Sequence, residues 1–209
     1  PVDLHLFALK KLGAKIKIKD GYIIAESKNG LKGATINFPS ISVGATENAI
    51  LAAFKAKGKT VLKNCAIEPE IKDLIKYLNK LGGKIKISNR KIIINECKIT
   101  KKKINHKIIF DRIELGTYII AGALVGKKIV IHNIYTSLIR SEINILKKMG
   151  VKIKKKKTSL IIEKAKKLKN IKISTKPYPG FPTDLQAQLM VLMTQANGIS
   201  IIKENIFEN

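Results

Sequence analysis

Leu78-Asn79-Lys80-Leu81-Gly82-Gly83-Lys84-Ile85 is one of three copies of the same short phrase. Leu9-Lys10-Lys11-Leu12-Gly13-Ala14-Lys15-Ile16 precedes it, and Leu146-Lys147-Lys148-Met149-Gly150-Val151-Lys152-Ile153 follows it. In each, leucine and lysine at helical spacing give way to a glycine and then to alternating lysine and isoleucine. That is the pattern of a wet-faced helix closed by glycine in the C′ position, where a left-handed backbone costs little, with a strand after it. Gly13, Gly82 and Gly150 recur about every 70 residues, so the chain is built from repeats.

A second element recurs in the same register. Asn48-Ala49-Ile50-Leu51-Ala52-Ala53-Phe54 leads to Gly58 and the strand Thr60-Val61-Leu62. Thr117-Tyr118-Ile119-Ile120-Ala121-Gly122-Ala123-Leu124 leads to Gly126 and Ile129-Val130-Ile131, and Leu189-Met190-Val191-Leu192-Met193 leads to Gly198 and Ile199-Ser200-Ile201-Ile202. These three helices are apolar on nearly every side, which predicts burial. Residues 48–56, 117–125 and 185–196 are therefore expected to be the least exposed helices, with the lysine-flanked ones, such as Ile71-Lys72-Asp73-Leu74-Ile75-Lys76-Tyr77-Leu78, packed outside them. One unit reads as buried helix, strand, amphipathic helix, strand, strand: a repeated α/β architecture.

Composition agrees. Among 209 residues, 45% are hydrophobic but only 5% aromatic, so the core must be aliphatic. The net charge of +26 raises the question of a nucleic-acid partner. Stretches such as Lys15-Ile16-Lys17-Ile18-Lys19 and Lys84-Ile85-Lys86-Ile87 answer it, because alternation puts lysine on the solvent face and isoleucine on the core face of a strand. No nucleic-acid-binding signature accompanies the charge, and a non-enzymatic basic repeat protein is the alternative that this leaves. No apolar run is long enough to span a bilayer. Cys65 and Cys97 stand far apart with no metal-ligand spacing, which reads as two reduced thiols of a cytosolic protein. Neither a metal nor a cofactor is implied. The chain begins with Pro1 rather than Met and reads as a fragment.

Five motifs carry a resemblance: Ser42-Val43-Gly44-Ala45-Thr46-Glu47-Asn48-Ala49, Glu68-Pro69-Glu70-Ile71, Asp111-Arg112-Ile113-Glu114 with Gly116-Thr117, Pro179-Gly180-Phe181-Pro182-Thr183-Asp184-Leu185-Gln186-Ala187-Gln188, and Phe207-Glu208-Asn209. In order and spacing the whole chain resembles the UDP-N-acetylglucosamine 1-carboxyvinyltransferase family of enolpyruvyl transferases. The resemblance implies inside-out α/β barrel domains built from repeated βαβαββ-type units. It places part of the first domain in residues 1–109 and part of the second in 110–209, with the substrates in the cleft between. It implies transfer of enolpyruvyl from phosphoenolpyruvate to the 3-hydroxyl of UDP-N-acetylglucosamine, the first committed step of peptidoglycan synthesis, in the cytoplasm. The sister transferase acting on shikimate 3-phosphate is the alternative within the fold.

By the same resemblance, Ser40, Ile41, Ser42 and Val43 hold the diphosphate and uridine. Gly44 lets the backbone approach closely at a helix N-terminus, whose free N–H groups suit an anion. Taken alone, these residues also read as a plain N-cap ahead of a helix. Pro1, Val2, Asp3 and Leu4 resemble a uracil-contacting segment, with Asp3 otherwise a first-turn helix charge. Asp184 resembles the family's general base beside the attacking sugar hydroxyl, or else a helix cap. Ile206 resembles a position that contacts the nucleotide sugar through its backbone. Glu68 and Arg112 are possible site residues, cleft-facing or paired, and Glu114 is structural. The family's loop of Gly-Cys followed by Gly-x-Arg-Pro, whose cysteine protonates the enolpyruvyl carbon, would end at Pro1. Cys65 and Cys97 do not match it.

Overall fold

All three phrase glycines are left-handed, with φ of +94° at Gly13, +111° at Gly82 and +94° at Gly150. Each closes its helix with the same bonds. The residue after the glycine donates its N–H to a carbonyl five residues back: Ala14 to Leu9, Gly83 to Leu78 and Val151 to Leu146, each at 3.0 Å. The carbonyls just before the glycines are also used alike, Leu12 accepting from Lys32, Leu81 from Thr100 and Met149 from Lys169. Each helix end is thus sewn to the chain that emerges from the hairpin following it.

The computed structural model describes residues 1–100 and 103–207, and the chain divides into two compact units, Pro1–Ile109 and Phe110–Asn209. Unit 1 runs α1 (Asp3–Lys11), β1 (Lys15–Lys19), β2 (Tyr22–Glu26), β3 (Thr35–Asn37), α2 (Val43–Phe54), β4 (Thr60–Lys63), α3 (Pro69–Lys80), β5 (Lys84–Ser88) and β6 (Lys91–Asn95). Its main sheet has the order β3-β4-β6-β5; β3 and β4 are parallel and joined across α2, and the other pairs are antiparallel. Unit 2 runs α4 (Arg112–Leu124), β7 (Lys128–His132), a 3₁₀ turn (Thr136–Ile139), α5 (Arg140–Lys148), β8 (Lys152–Lys155), β9 (Ser159–Glu163), β10 (Leu168–Lys169) and β11 (Lys172–Ser174). A second 3₁₀ turn (Thr183–Leu185), α6 (Gln186–Met193), β12 (Ala196–Asn197) and β13 (Ile201–Lys203) complete it. Its antiparallel sheet has the order β7-β9-β8. β11 and β13 pair in parallel across α6, as β3 and β4 do across α2. The expected unit is present twice, as α2-β4-α3-β5-β6 and α4-β7-α5-β8-β9.

Two of the apolar helices are buried as expected. In α2 only Leu51 is exposed, and in α4 only Glu114 and Tyr118. Ala45, Ala49, Ile50 and Ala53 of α2 join Ile36, Leu62, Ile92 and Ile94 of the sheet in one core; Leu115, Ile119 and Ala123 of α4 join Leu146, Leu160 and Ile162 in the other. α3 and α5 keep their lysines in water.

The third helix differs from its expectation. Leu189, Leu192 and Met193 of α6 are buried, but Ala187, Met190 and Val191 are exposed, because α4 and the preceding 3₁₀ turn pack against one side of it. Its helical span also stops at Met193, before β12 begins. The β1–β2 hairpin corrects a second expectation. It forms a sheet of its own, and Ile18 is 70% exposed rather than turned to a core. Alternation fixes which side chains share a face; among the described residues no third strand lies beside this pair, as β4 does beside β6. Among the described residues no helix is long and apolar enough to cross a membrane.

A Cβ at Gly13 would meet nothing within 4 Å, whereas at Gly82 it would lie 2.7 Å from Thr100 Oγ1 and 2.8 Å from the Lys98 carbonyl. Gly13→Ala is therefore expected to cost only the left-handed backbone penalty, about 1–2 kcal/mol. Gly82→Ala should cost distinctly more. Urea unfolding followed by circular dichroism checks this; equal losses would show that the Thr100 strap yields.

Candidate functional site

In unit 1 the loop from β3 to α2 carries the first group of candidate residues. Ser42, extended at φ −138° and ψ 128°, is the N-cap of α2, and its Oγ accepts the Ala45 N–H at 3.2 Å. The Ser42 carbonyl accepts from the Thr46 N–H at 3.1 Å and from Thr46 Oγ1 at 2.7 Å. Val43 and Gly44 do not precede the helix, as the sequence suggested; they are its first two residues, because the cap turn is completed at Ser42. Their N–H groups fall in the first turn, which has no intrahelical acceptors, at the positive end of the helix dipole. Ser40 is exposed, and Ile41 and Val43 are half-buried against the core of the unit.

The start of α1 reaches the same place. Val2 occupies its N-cap position, Asp3 is an exposed first-turn acid, Pro1 is exposed, and Leu4 packs on the core. The contact that joins the two groups is His5. A Cβ on Gly44 would stand 3.2 Å from His5 Cε1, so the ring packs closely against the start of α2, and His5 Nδ1 lies 3.2 Å from Asn48 Nδ2. The segment 1–4 and the segment 40–44 therefore meet at one end of the α1–α2 pair. Sequence reasoning did not single out His5; its position directly after Leu4 was the available signal.

Glu68 is buried, 4% exposed, at the N-cap position of α3 ahead of Pro69. The Ala66 N–H donates to Thr46 Oγ1 at 3.1 Å, tying this connector to α2. Burial, together with the nearby carboxylates of Glu70 and Glu68, pushes the carboxyl of Glu47 on α2 above its ordinary range. Cys65 is buried, and that burial pushes its thiol up to about 12, against smaller opposing effects of the Ile92 backbone and Arg90. A thiol so placed carries no thiolate for chemistry near neutral pH.

Unit 2 holds the second group. Asp184 lies in the middle of the second 3₁₀ turn rather than in α6, and it is exposed. The loop before it is held by bonds from Lys176 N–H to the Phe181 carbonyl at 3.0 Å and from Gly180 N–H to the Pro177 carbonyl at 2.9 Å. Gly116 explains the glycine of its motif: a Cβ there would run into the Leu185 side chain, so α4 and the Asp184 turn approach closely. Gln188 adds a bond from Nε2 to Thr117 Oγ1 at 3.0 Å.

Glu204, also missed in the sequence, connects Asp184's turn to Ile206. Its Oε2 accepts from Thr183 Oγ1 at 2.7 Å; its Oε1 accepts from Thr175 Oγ1 at 2.8 Å and from the N–H groups of Ile206 at 2.5 Å and Phe207 at 3.2 Å. Phe207 is exposed, and Glu208 and Asn209 of its motif lie outside the described residues.

Arg112 opens α4 behind the N-cap Asp111, whose Oδ1 accepts from the Ile113 and Glu114 N–H groups at 2.7 and 3.2 Å. Arg112 is buried, 3.7 Å from the Glu142 carboxylate, with its guanidinium 5.7 Å from the Tyr178 ring centre. That geometry gives it a binding duty inside unit 2, fixing α4 to α5 and to the loop that leads to Asp184. Burial raises the Glu142 carboxyl above its ordinary value, and its own backbone N–H and Arg112 offset part of the rise.

A family model described as EPSP synthase (3-phosphoshikimate 1-carboxyvinyltransferase) matches residues 1–209. The chain belongs to the EPSP synthase family. Relatives within this family named UDP-N-acetylglucosamine 1-carboxyvinyltransferase include those of Pelagibacter ubique, 55% identical, and Caulobacter vibrioides, 44% identical. Both matches cover all of this chain, but 50% and 49% of the relatives, so the chain spans about half their length. Among solved structures, the enolpyruvyl transferase NikO of Streptomyces tendae superposes with a TM-score of 0.87 over 98% of this chain and 51% of its own, at 22% identity. The EPSP synthase of Acinetobacter baumannii gives 0.65 over 97% of this chain and 48% of its own, at 18% identity. The fold of this EPSP synthase family member is thus the enolpyruvyl transferase fold.

The raised Glu142 gives unit 2 a pH dependence of defined sign. A carboxyl whose folded value lies above the ordinary 4.5 contributes stability that is complete below 4.5 and lost as pH rises through the raised value. Thermal melts from about pH 4 to pH 8 should show that loss, and Glu142→Gln should flatten it. A variant with the parent's profile would place the titration on another group.

Proposed function

We propose that the protein to which this chain belongs transfers enolpyruvyl from phosphoenolpyruvate to the 3-hydroxyl of UDP-N-acetylglucosamine. This would be the first committed step of peptidoglycan synthesis, carried out in the cytoplasm. The observation that carries the reading is the 44–55% identity, across all 209 residues, to proteins named for that reaction. Units Pro1–Ile109 and Phe110–Asn209 are then parts of the first and second domains.

In this reading the α2 N-terminus receives the diphosphate. Ser42 occupies one first-turn N–H, and the rest are free to donate to phosphate oxygens. Segment 1–4 flanks the uracil, and the backbone at Ile206 meets the sugar. Asp184, exposed on a turn fixed by Leu185, Phe181 and Thr183, accepts the proton of the sugar hydroxyl as its oxygen bonds to C2 of phosphoenolpyruvate. C3 takes a proton from an acid outside these 209 residues, giving a tetrahedral adduct. Loss of phosphate from C2 and of a proton from C3 then restores the double bond. Arg112 and Glu68, both buried, support the site rather than touch substrate. The shikimate 3-phosphate alternative has less behind it, since the EPSP synthase of Acinetobacter baumannii is 18% identical.

The test is phosphate release from phosphoenolpyruvate with either acceptor supplied. The protein is a chimera in which residues 1–209 replace the matching half of the Pelagibacter ubique relative. Release is expected with UDP-N-acetylglucosamine and not with shikimate 3-phosphate; the 209-residue chain alone should give none. Asp184→Asn in the chimera should lower turnover by about 10²–10⁴ with little change in melting temperature. Parent-like turnover would return Asp184 to a structural role.

A further inference from the structure

We propose that Glu204 is a positioning residue, whose one carboxylate holds Asp184 and the Ile206 backbone in register with each other; this rests on the function proposed above. Three segments converge on it: the end of β11 through Thr175, the Asp184 turn through Thr183, and the stretch after β13 through Ile206 and Phe207. The anchor is firm. Thr175 is fully buried, its N–H donates to the Lys203 carbonyl at 3.0 Å, and its Oγ1 accepts the Asn205 N–H at 2.8 Å. Thr183 is adjacent to Asp184, so the Oε2 bond at 2.7 Å sets where the turn carrying the base sits. The two Oε1 bonds to the Ile206 and Phe207 N–H groups set the backbone assigned to the sugar.

A carboxylate suits this place. Four donors point at two oxygens, and an ionised carboxylate has only acceptor sites to give them. Burial works against the charge, but the bonds from Thr183, Ile206, Thr175 and Phe207 outweigh it and hold the carboxyl below its ordinary range. It therefore stays an acceptor at any pH where such an enzyme would work.

Folding alone does not require this charge. Unit 1 closes the corresponding joint between helix start and post-strand segment with neutral groups. Thr46 Oγ1 sits between the Ser42 carbonyl and the Ala66 N–H, and Asn64 Nδ2 donates to the Phe38 carbonyl at 2.9 Å. The charged version occurs at the joint that bears Asp184. A base displaced by about 1 Å can cost on the order of 10²-fold in rate, which gives such a clamp its purpose.

The experiment uses the same chimera, with kcat and KM for UDP-N-acetylglucosamine measured alongside melting temperature. Thr183→Val removes the Oε2 donor and leaves the Oε1 bonds. It should lower kcat about tenfold or more with KM within about twofold, and Thr183→Ser, which keeps the hydroxyl, should restore kcat. Glu204→Gln turns one acceptor into a donor and should both lower kcat and raise KM. Parent-like kcat in Thr183→Val overturns the proposal, even if Glu204→Gln fails to fold. So does a fall in melting temperature with kcat and KM unchanged. An inactive parent chimera overturns the functional reading, and this one with it; an active parent with indifferent variants overturns this one alone.

Discussion

A helix that is apolar all the way round has no face to give to water, and the rest of this chain is arranged around that constraint. α2 and α4 can exist only if something covers each side of them. The sheet covers one side, and further helices cover others. The amphipathic helices α3 and α5 then turn their apolar sides inward and their lysines outward. The placement of the charge follows from the same geometry: outward positions of strands and outer helices are the places where lysine costs nothing in packing. The buried helices also decide where function can be. The N-terminus of α2 is a point at which an inner helix opens toward solvent, and Ser42 stands there; Asp184 stands in the turn that leads into α6, the helix covered on one side.

The two units meet one structural problem with different chemistry. In each, the start of the inner helix must be joined to the chain leaving the next parallel strand. Unit 1 uses the hydroxyl of Thr46, itself fully buried and in the helix. Unit 2 uses the carboxylate of Glu204, which reaches in from the strand side. The Thr46 hydroxyl gives one bond and accepts one; the Glu204 carboxylate gathers four donors and carries charge. The neutral joint adds no charge at the helix start. The charged joint fixes an acidic turn instead.

The fold was legible in the sequence wherever a local pattern carried it. The three glycines announced helix ends, and apolar runs at helical spacing announced α2 and α4. Register could also be read, since Ile85, Ile92 and Ile94 lie inward as alternation requires. Burial was less legible, because it depends on neighbours that local pattern does not name. The same alternation that buries Ile85 leaves Ile18 exposed, for want of a third strand beside β1 and β2. The apolar run of α6 likewise says nothing of how many sides are covered. Of the site, Ser42, Gly44 and Asp184 stood out because a motif contained them. Glu204 did not, since two of its four donors come from residues 29 and 21 positions away. His5 was hidden for a similar reason: its partner Asn48 is 43 positions off.

Because Gly13, Gly82 and Gly150 close their helices with bonds drawn from the preceding five residues, each joint is complete within its own copy. A crossover between two copies at such a joint would leave handedness and strand register unchanged on both sides. The chain could therefore lengthen by duplication, with every new copy arriving already able to end its helix and begin its hairpin. Divergence afterwards would be held at the glycine and at the core leucines and isoleucines beside it, and free at the exposed lysines. The near-identity of three phrases in an otherwise varied sequence is what such a history would leave behind.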